Sequence, residues 1–373
     1  MEIIHIALGK VNPNRMNGVN KVVFNLATEQ VKAGVNAQVW GISDSIEHNY
    51  PERNFNTVLF KKKRSSFAIP KGIEDALKTS KSDTVFHLHG GFIPVFYSIS
   101  KLMKKYGRKF VFTPHGSYNR IAWQKSGFSK RIYFQLFELP MLKNAAIVHV
   151  LGKSESEGLN FLHSGLPIQR APYGFEIAQN NSAIYKSGED YLIGFCGRID
   201  IYTKGLDVLF ESFAKFALQN SNAKLWIIGD GSERQKLEIL ANRLGVSHKV
   251  VFHGSKFGEE KDKLIAQLNL FVHPSRNEGL PTAVLEALSM GISCLISEAT
   301  NLGDEVRASN SGIVIEKTTT DFMLQGFNDS FKKSMTTSVE ELRTNAMKTV
   351  TEFFNWKKVI ADFNNIYAAA LIK

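Results

Sequence analysis

The sequence predicts an α/β protein built from two doubly wound parallel-sheet domains. Its 373 residues exceed what one hydrophobic core usually holds, which favours about two domains. Short apolar strand runs alternate with helical patterns along the whole length, as expected for parallel strands covered by helices. A polar stretch without hydrophobic period, residues 179–190, separates two such series. We therefore place a first domain at residues 1–178 and a second at residues 179–355.

Each series consists of short apolar runs bounded by polar or turn residues. The first predicts five strands, at residues 3–8, 37–42, 84–88, 109–113 and 146–151. The second predicts six, at residues 191–196, 224–228, 250–252, 270–273, 293–297 and 313–315. Ligands of such sheets bind at the carboxyl ends of the strands. We therefore expect the two domains to face each other across a cleft that holds the site.

The composition indicates a soluble protein of a reducing compartment. Hydrophobic residues make up 43% and charged residues 22% of the chain, which is ordinary for globular proteins. The N-terminal apolar run is only strand-length and lacks a basic flank, so we expect no signal peptide, and no later run reaches membrane-spanning length. Cys196 and Cys294 lie in predicted buried strands without metal-ligand spacing. We expect reduced thiols in a cytoplasmic protein.

The net charge of +11 is concentrated in the first half of the chain. Residues 1–180 contain 24 Lys and Arg against 12 acids, and the remainder contains 22 against 23. The asymmetry fits either an anionic partner or membrane surface, or simply a well-solvated Lys-rich surface. Nucleic acid is not expected as a partner, because the basic residues are scattered or form short clusters such as residues 61–64, and no nucleic-acid motif is present.

The segment 128–142 mixes large apolar residues with Lys130 and Arg131. Such a helix either lies on a membrane surface, at the inner face of the cell membrane, or packs on its own domain. We favour packing, with Pro140 interrupting a long helix.

Two carboxylates eight positions apart, Glu278 and Glu286, bracket a loop that leads into a helix. Pro281 suits the first helical turn and Gly291 the position after the last turn, which predicts a helix over residues 281–290. Glu286 is the only charge in that apolar helix and therefore needs a partner. Glu278 precedes a helix N-terminus, which favours anions. The segment predicts a polar, phosphorylated ligand; the alternative is a solvated Glu278 and a structural Glu286.

Two cations follow the first strand of the second domain. Arg198 and Lys204 flank the start of the helix that is predicted from Leu206. An Arg fork and a Lys point charge beside helix N–H groups suit a diphosphate and would stabilise it as a leaving group. The alternative is a pair of ordinary surface cations.

Candidate residues of the first domain also lie where strands end or helices begin. Gly18 precedes the helical run 20–32 and would let the backbone approach a ligand, although a plain turn explains it equally well. His87, His89 and His115 occupy two His-Gly strand ends, which predicts imidazoles at the cleft edge unless they are structural. A zinc site at His87 and His89 is not expected, because a third ligand is missing.

Taken together, these motifs resemble the retaining glycosyltransferases of the GT-B fold, specifically the family 4-like, group 1 enzymes marked by two glutamates with seven residues between them. The resemblance covers nearly the whole chain, although the usual N-terminal Gly-Gly is Asn17-Gly18 here. The matching motifs, in order, are Asn17-Gly18, Thr113-Pro114-His115-Gly116, Pro172-Tyr173-Gly174, Gly197-Arg198 through Lys204-Gly205, Gly229-Asp230-Gly231 and Glu278 through Glu286.

The resemblance implies two Rossmann-like domains and a role for each candidate residue. It implies that Glu278 and His115 act on the transferred sugar, while residues 1–178 recognise the acceptor and the last helix, residues 356–373, crosses back to them. The remaining donor contacts that it implies are Glu286 on the ribose, Arg198 and Lys204 on the diphosphate, Gly254 near the base, and Gly18, Gly279 and Leu280 around them.

The expected activity is transfer of a glycosyl group from a nucleotide-diphosphate sugar to a saccharide or lipid-linked hydroxyl, with retention of configuration and without a metal or other cofactor. A UDP-sugar is favoured over a GDP-sugar as the donor. The expected process is the synthesis of surface polysaccharide or glycolipid. Two alternatives remain at this point: a nucleotide-sugar epimerase of the same fold, and a non-catalytic protein that binds sugar or nucleotide.

Overall fold

The computed structural model describes residues 1–13, 18–118, 123, 127–175 and 190–373. The chain forms two compact units, residues 1–174 with 356–373 and residues 175–355. The predicted domain boundary at residues 178 and 179 and nearly all of the predicted linker lie outside the described residues.

The first unit contains a seven-stranded parallel sheet in the order β3-β2-β1-β4-β5-β6-β7. Its strands are β1 Glu2–Leu8, β2 Asn36–Ser43, β3 Asn56–Lys61, β4 Thr84–His89, β5 Lys109–Thr113, β6 Ile147–Val150 and β7 Ile168–Arg170. Its helices before the last strand are α1 Gly18–Lys32, α2 Ile73–Thr79, α3 Pro94–Lys105, α4 Phe128–Tyr133, α5 Leu139–Asn144 and α6 Lys153–Leu162. The five predicted strands are present, and β3 and β7 are the sheet edges that sequence reasoning missed.

The C-terminal helix α15, Trp356–Ile372, belongs to the first unit although the second unit precedes it in sequence. Its buried side chains recur every three or four residues and include Phe363 and Tyr367. This amphipathic period lets one face of the helix pack on the sheet. The Tyr367 hydroxyl on this helix hydrogen-bonds to His87 of β4 and to Gln30 of α1.

The segment that begins at Phe128 is helical throughout, with a π-helical stretch, Phe134–Glu138, between α4 and α5. Pro140 lies in the first turn of α5, directly after the π-helical stretch in which the Leu139 N–H donates to the Phe134 carbonyl. Because proline has no N–H, the continuous helix lacks one backbone hydrogen bond at Pro140. Phe134, Leu139 and Leu142 are buried, whereas Phe128, Ile132 and Leu136 are 79%, 43% and 57% exposed. The segment therefore packs on its own unit with one face and presents apolar groups to solvent with another.

The second unit contains a six-stranded parallel sheet in the order β10-β9-β8-β11-β12-β13. Its strands are β8 Tyr191–Cys196, β9 Ala223–Ile228, β10 Val250–Gly254, β11 Leu270–His273, β12 Cys294–Ser297 and β13 Gly312–Ile315. Its helices are α7 Ile201–Lys204, α8 Leu206–Gln219, α9 Arg234–Arg243, α10 Gly258–Ile265, α11 Thr282–Ser289, α12 Gly303–Ala308, α13 Thr320–Thr336 and α14 Val339–Phe353. All six strands match the predicted set, and apolar clusters cover both faces of the sheet.

Helix α11 begins one residue later than the sequence predicts. Pro281 has extended backbone dihedrals and occupies the N-cap, while Gly291 has the positive φ of 85° expected just after a helix. Within the described ranges, no helix combines the length and the apolar character that crossing a bilayer requires.

Candidate active site

The strand order of the second unit reverses between β8 and β11, which are hydrogen-bonded neighbours. Helices that follow these two strands lie on opposite sides of the sheet, so a crevice opens at their carboxyl ends. Gly197 and Arg198 follow β8, and His273 ends β11 before the loop that contains Glu278. The second-domain candidates therefore gather at the topological switch point of this sheet.

Glu278 is the centre of this cluster. Its Oε1 atom accepts hydrogen bonds from Nε2 of His273 at 2.8 Å and from the Ser275 hydroxyl at 2.8 Å, and it forms an ion pair with Lys204. Only 12% of the Glu278 side chain and 17% of the Lys204 side chain are exposed. The two residues are 74 positions apart in sequence, and the structure joins the predicted sugar contact directly to the predicted diphosphate contact.

The charge state of Glu278 follows from these partners. Burial alone would raise the pKa of Glu278, but the hydrogen bond from His273 and the charge of Lys204 outweigh burial and lower the pKa to about 2. Glu278 is thus a carboxylate at neutral pH, an acceptor suited to sugar hydroxyls. His273 and Ser275 are partners of Glu278 in the candidate site that sequence reasoning missed. The one available signal was that His273 ends a strand, as His89 does.

Arg276 clamps the two loops that carry Lys204 and Glu278. Its guanidinium binds both carboxylate oxygens of Asp207 at 2.8 and 2.9 Å and donates to the Tyr202 carbonyl at 2.8 Å. The Arg276 N–H donates to the carbonyl of Thr203 at 2.9 Å. Bidentate pairs of this kind fix geometry as well as charge. The clamp explains why the residue just after Thr203 lies beside Glu278.

The predicted residues Gly279 and Leu280 continue the same loop. Asn301 donates to the carbonyl oxygens of Glu278 and Gly279, at 3.0 and 2.8 Å, while Leu280 packs, half-buried, against the apolar cluster around α11. The loop is therefore held at its backbone, which leaves the Glu278 side chain to interact with the strand ends.

Lys204 is positioned by a one-turn helix that sequence reasoning did not predict. Asp200 caps α7 by accepting a hydrogen bond from the N–H of Thr203 at 3.0 Å, and α8 starts immediately after Gly205. Gly205 adopts a left-handed φ of 68°, and a Cβ atom there would lie 2.2 Å from the Pro274 carbonyl oxygen. The α7–α8 junction thus requires glycine for two separate reasons.

Replacing Gly205 by alanine is expected to destabilise the protein by at least about 2 kcal/mol, because left-handed strain of about 1 kcal/mol adds to a backbone clash. Gly245→Ala is the matched control: its φ is 72°, but no heavy atom of the residues that the structure describes lies within 4 Å of the added Cβ. Urea denaturation of both variants measures the difference. Equal losses of unfolding free energy would show that the contact with Pro274 is unimportant.

Arg198 is positioned differently from Lys204. Its side chain is 74% exposed and pairs with Asp200 at 3.3 Å. The two predicted diphosphate ligands therefore lie on either side of α7, one exposed and one buried. An exposed ion pair contributes little stability, so Arg198 is available to a ligand at small cost.

Glu286 has a charged partner, as the sequence predicted for the single charge of an apolar helix. Its carboxylate pairs with Lys261 of α10 at 2.7 Å, and each side chain is about one-fifth exposed. Burial alone would lower the pKa of Lys261, but the Glu286 carboxylate outweighs burial and raises it. Sequence reasoning missed Lys261, because nothing in the α10 segment distinguishes it from its solvated neighbours.

Gly229, just after β9, lies beside Gly254, the last residue of β10. The Gly229 N–H donates to the Gly254 carbonyl at 2.8 Å. A Cβ atom on Gly229 would lie 1.9 Å from the Gly197 carbonyl oxygen, so the loops after β8 and β9 approach as closely as only glycine allows. Phe257, three positions after Gly254, exposes 70% of its surface and offers a flat apolar face.

In the first unit, the predicted histidines belong to a largely buried polar network on the sheet face that α15 covers. We call it the histidine network; its members are His5, His87, His89, His115, His149, Gln30, Thr113 and Tyr367. Strand register places His5 opposite His87 and His89 opposite Thr113. Of the two alternatives that the sequence left open for His87 and His89, burial favours the structural one: both are at most 1% exposed and lie within this network.

The hydrogen bonds of the network form one continuous path. From His115 it runs to His89 (3.1 Å), His5 (2.9 Å), Gln30 (2.6 Å) and Tyr367 (3.2 Å). From Tyr367 it continues to His87 (2.9 Å), Thr113 (2.7 Å), His149 (2.7 Å) and the Ala171 carbonyl (2.8 Å). Burial lowers the pKa of His5 and of His149 to about 4 and that of His115 to about 3, and it holds the pKa values of His87 and His89 well below normal. The five imidazoles are therefore neutral at physiological pH.

His5 supplies the third histidine that the sequence argument against a zinc site lacked. Among the described residues, His5, His87 and His89 form the one group whose ligand atoms lie close enough, within 4.8 Å, to hold a metal. Every ring nitrogen of the three is already hydrogen-bonded within the protein. A metal would have to break those bonds, so these residues do not fit a resident ion.

His115 occupies the open end of the network, just after β5. It is partly exposed, has a left-handed φ of 54°, and stacks on Tyr173 with ring centroids 5.7 Å apart. Glu155 fixes the turn by accepting the Gly116 N–H at 2.5 Å, and burial raises the pKa of Glu155 to about 7. A strained, over-determined backbone of this kind is typical of functional sites.

Gly18 is the first residue of α1, and a Cβ atom there would meet no atom of the described residues within 4 Å. Packing against the described part of the chain therefore does not demand glycine at this position. Asn17, the other half of the motif, lies outside the described residues.

Comparison with known proteins gives one matching family model for each unit. The model described as "Glycosyl transferases group 1" matches residues 177–349, and that described as "Glycosyltransferase Family 4" matches residues 16–161. An uncharacterized glycosyltransferase of Methanocaldococcus jannaschii is 32% identical over 183 residues, which cover 49% of this chain and 46% of the relative. The chain thus spans less than half the length of that relative.

Other relatives match over their full length. The GDP-mannose:cellobiosyl-diphosphopolyprenol alpha-mannosyltransferase of Xanthomonas campestris is 22% identical, and the match covers 100% of this chain and 97% of the relative. The crystal structure of HepE of Anabaena in complex with UDP superposes with a TM-score of 0.74 and 13% identity, covering 99% of this chain and 100% of that chain. The fold is therefore that of the GT-B enzymes. Since the two family models together match most of both units, the chain belongs to the glycosyltransferases, its first unit of the Family 4 type and its second of the group 1 type.

Proposed function

We propose that this protein transfers a glycosyl group from a nucleotide-diphosphate sugar to a hydroxyl acceptor with retention of configuration, in the synthesis of a surface polysaccharide or glycolipid. The observation that carries the proposal is the buried Lys204–Glu278 pair at the switch point of the second sheet. It combines an acceptor for sugar hydroxyls with a cation for a phosphate leaving group. Because the relatives that carry functional names are glycosyltransferases, an epimerase or a non-catalytic role is not carried forward.

In this proposal the donor lies over the strand ends of the second unit. Lys204 and Arg198 hold the diphosphate, and Lys204 stabilises the charge that develops on the leaving phosphate. Glu278 accepts hydrogen bonds from the transferred sugar. The leaving phosphate helps to take the acceptor proton, so the protein need supply neither a nucleophile nor a metal.

The nucleoside is assigned to the other carboxylate. Glu286, oriented by Lys261, accepts hydrogen bonds from the two ribose hydroxyls. The base packs at Gly254 against the exposed ring of Phe257. We propose UDP as the nucleotide; UDP is bound in the HepE structures, whereas the Xanthomonas relative is named for GDP-mannose. The first unit contributes His115 to the sugar and Gly18 to the donor.

Calorimetry with UDP, GDP and ADP tests the nucleotide assignment. The expected result is binding of UDP at least tenfold tighter than GDP, followed by UDP release that depends on the sugar in a screen of UDP-sugars with saccharide acceptors. Glu286→Ala should weaken UDP binding, whereas Leu218→Ser, at an 87% exposed position, should not. If no nucleotide binds, the donor site is wrongly assigned.

We further propose that the first unit works in the cytoplasm against an anionic membrane, where a lipid-linked acceptor resides. The support is a basic–apolar patch made of exposed Lys62, Lys63 and Arg64 with Phe128, Ile132 and Leu136. Phe67, which follows the basic run, contacts Phe137 at 4.8 Å between ring centroids and so joins the two halves. Lysine and arginine contribute about 1 kcal/mol each near anionic lipid, and inserted apolar groups add to this.

Sedimentation with phosphatidylglycerol vesicles is expected to deplete the wild-type protein, while phosphatidylcholine vesicles leave it in solution. Serine at Phe128, Ile132 and Leu136 together should lower the partition coefficient at least tenfold, because each removes roughly 1 kcal/mol of insertion energy. Leu218→Ser is the control for loss of an exposed apolar group outside the patch. Equal partitioning of wild type and triple variant would contradict the membrane assignment.

A further inference from the structure

The donor and acceptor of every hydrogen bond in the histidine network can be assigned from one end of the path, the Ala171 carbonyl. The Ala171 carbonyl can only accept, so Nε2 of His149 carries the proton and Nδ1 of His149 is an acceptor. Thr113 must then donate its hydroxyl proton to His149. The Thr113 oxygen therefore receives its other hydrogen bond from Nε2–H of His87.

The same reasoning continues through the two residues contributed by helices. Because Nε2 of His87 is protonated, Nδ1 of His87 accepts from the Tyr367 hydroxyl. Because the hydroxyl proton of Tyr367 is donated to His87, the Tyr367 oxygen must accept a hydrogen bond from the Gln30 amide. This requires Nε2 of Gln30 to face Tyr367, as it does in the structure. The Gln30 oxygen consequently faces His5 and accepts from Nε2–H of His5.

The same assignment extends to His115, the last residue of the path. Nδ1 of His5 accepts from Nε2–H of His89, and Nδ1 of His89 accepts from Nε2–H of His115. Each imidazole is neutral because burial lowers its pKa, so none has a second proton with which to reverse the order. His115 is left with a bare lone pair on Nδ1, for which the described residues supply no hydrogen-bond donor.

We propose that the histidine network acts as a tautomer lock, which holds His115 as a hydrogen-bond acceptor at Nδ1 and selects a hydroxyl of the transferred sugar over an anionic group there. The substrate side of this inference rests on the proposed glycosyltransferase function. A hydroxyl can donate to Nδ1, whereas a phosphate or carboxylate oxygen would place lone pair against lone pair. Stacking on Tyr173 holds the ring plane in the orientation that the lock requires.

Tyr367 and Gln30 are positioning residues in this scheme, because they act on His115 only through the intervening rings. Without the Tyr367 hydroxyl, Gln30 is free to turn its amide and donate to His5. His5, His89 and His115 would then reverse together, and Nδ1 of His115 would carry the proton. The lock thus predicts that a change on the C-terminal helix alters the proton position at the end of β5.

Long-range ¹H–¹⁵N spectra of the full chain, labelled in histidine, test the lock without any substrate. In the wild type, Nδ1 of His115 is expected at the downfield position of an unprotonated nitrogen and Nε2 at that of an N–H nitrogen, with the signals identified by their loss in His115→Gln. The opposite tautomer in the wild type would overturn the proposal whether or not the protein is a glycosyltransferase.

Variants of the network test the mechanism of the lock. Tyr367→Phe is expected to populate the Nδ1–H tautomer of His115 at pH 7. Thr113→Val breaks the path closer to the Ala171 carbonyl and should also populate the Nδ1–H tautomer of His115. Thr113→Ser keeps a hydroxyl and should retain the wild-type tautomer. An unchanged His115 in both Tyr367→Phe and Thr113→Val would show that the network does not set the tautomer.

The proposed contact between His115 and a sugar hydroxyl is tested with the same Nδ1 signal of His115. UDP alone should leave Nδ1 of His115 unmoved, whereas a UDP-sugar that the release assay identifies as a donor should shift it upfield as a hydroxyl donates to it. A donor that is turned over without moving this signal would overturn the hydroxyl assignment and leave the proposed function standing. Failure of every nucleotide to bind would instead refute the proposed function and leave the tautomer result intact.

Discussion

Replacement of Lys204 by methionine is expected to lower kcat/KM for sugar transfer at least about 100-fold, the usual loss when one preorganised charge is removed from a developing anion. Lys204 is the buried cation of the proposed donor site, and its Nζ is held against Glu278. Methionine keeps the apolar stem of the side chain and removes only the charge. The fold should survive, because Glu278 retains hydrogen bonds from His273 and Ser275.

Arg198→Met is the matched control for this prediction. Arg198 has the same predicted ligand but is 74% exposed and pairs with Asp200, so its loss should cost less than about tenfold, in line with a solvent-screened contact. Lys204→Arg should retain part of the activity, since the charge remains while its point-like geometry is lost. Nucleotide-release kinetics with thermal unfolding as a check on folding provide the measurement. A larger effect at Arg198 than at Lys204 would reverse the assignment of the leaving-group contact.

The sequence predicted the sheet interiors better than the sheet edges. Strands such as Tyr191–Cys196 and Lys109–Thr113 are covered on both faces and read as continuous apolar runs, a signal that needs no tertiary information. The edge strands Asn56–Lys61 and Ile168–Arg170 were missed. The first merges into a basic run, and the second is three residues long, so neither carries a pattern that distinguishes it from a loop.

The residues of the candidate site could be selected from the sequence, but their contacts could not. Spacing selected Lys204, Glu278 and Glu286 as candidates, because loops and helix ends beside strand ends have local signatures. The Lys204–Glu278 pair depends on the Arg276–Asp207 clamp, and Lys261 reaches Glu286 from a different helix. Such contacts join elements distant in sequence, and no local period reports them. The histidine network was missed for the same reason, since its members come from six separate elements.

The second large effect expected is unfolding of the first unit in mild acid, well before the second. A histidine whose pKa is lowered on folding contributes stability that is complete above its unfolded pKa of about 6.5 and is lost as the pH falls below that value. In the first unit this holds for His5, His115 and His149, with folded pKa values of about 4, 3 and 4, and for His87 and His89, which are lowered further. Each of these histidines lowers the free energy of unfolding by roughly 1 kcal/mol per pH unit below pH 6.5, down to its folded pKa.

Two buried carboxyl groups of the same unit oppose this loss. The pKa of Glu155 is raised by burial to about 7 and that of Glu138 is also raised by burial, so both bind protons more readily in the folded state and add stability as the pH falls. Five destabilising groups against two stabilising ones leave a net loss of about 3 kcal/mol per pH unit, against a typical total stability of about 5–15 kcal/mol. The accumulated loss is then about 6 kcal/mol at pH 4.5 and reaches the lower end of that range, so we expect the first unit to unfold as the pH approaches 4.5.

The second unit differs because its most perturbed carboxylate responds lower on the pH scale. The pKa of Glu278 is lowered from 4.5 to about 2, so its contribution is complete above pH 4.5 and is lost only as the pH falls toward 2. Hydrogen exchange measured by mass spectrometry at pH 7, 5.5 and 4.5, with rates corrected for pH, should show protection lost in β1, β4 and β5 while β8 and β11 stay protected. His48→Gln, which removes an exposed histidine of the first unit, should leave the transition unchanged. Simultaneous loss of protection in both units would mean that the histidine network does not govern the acid stability of this protein.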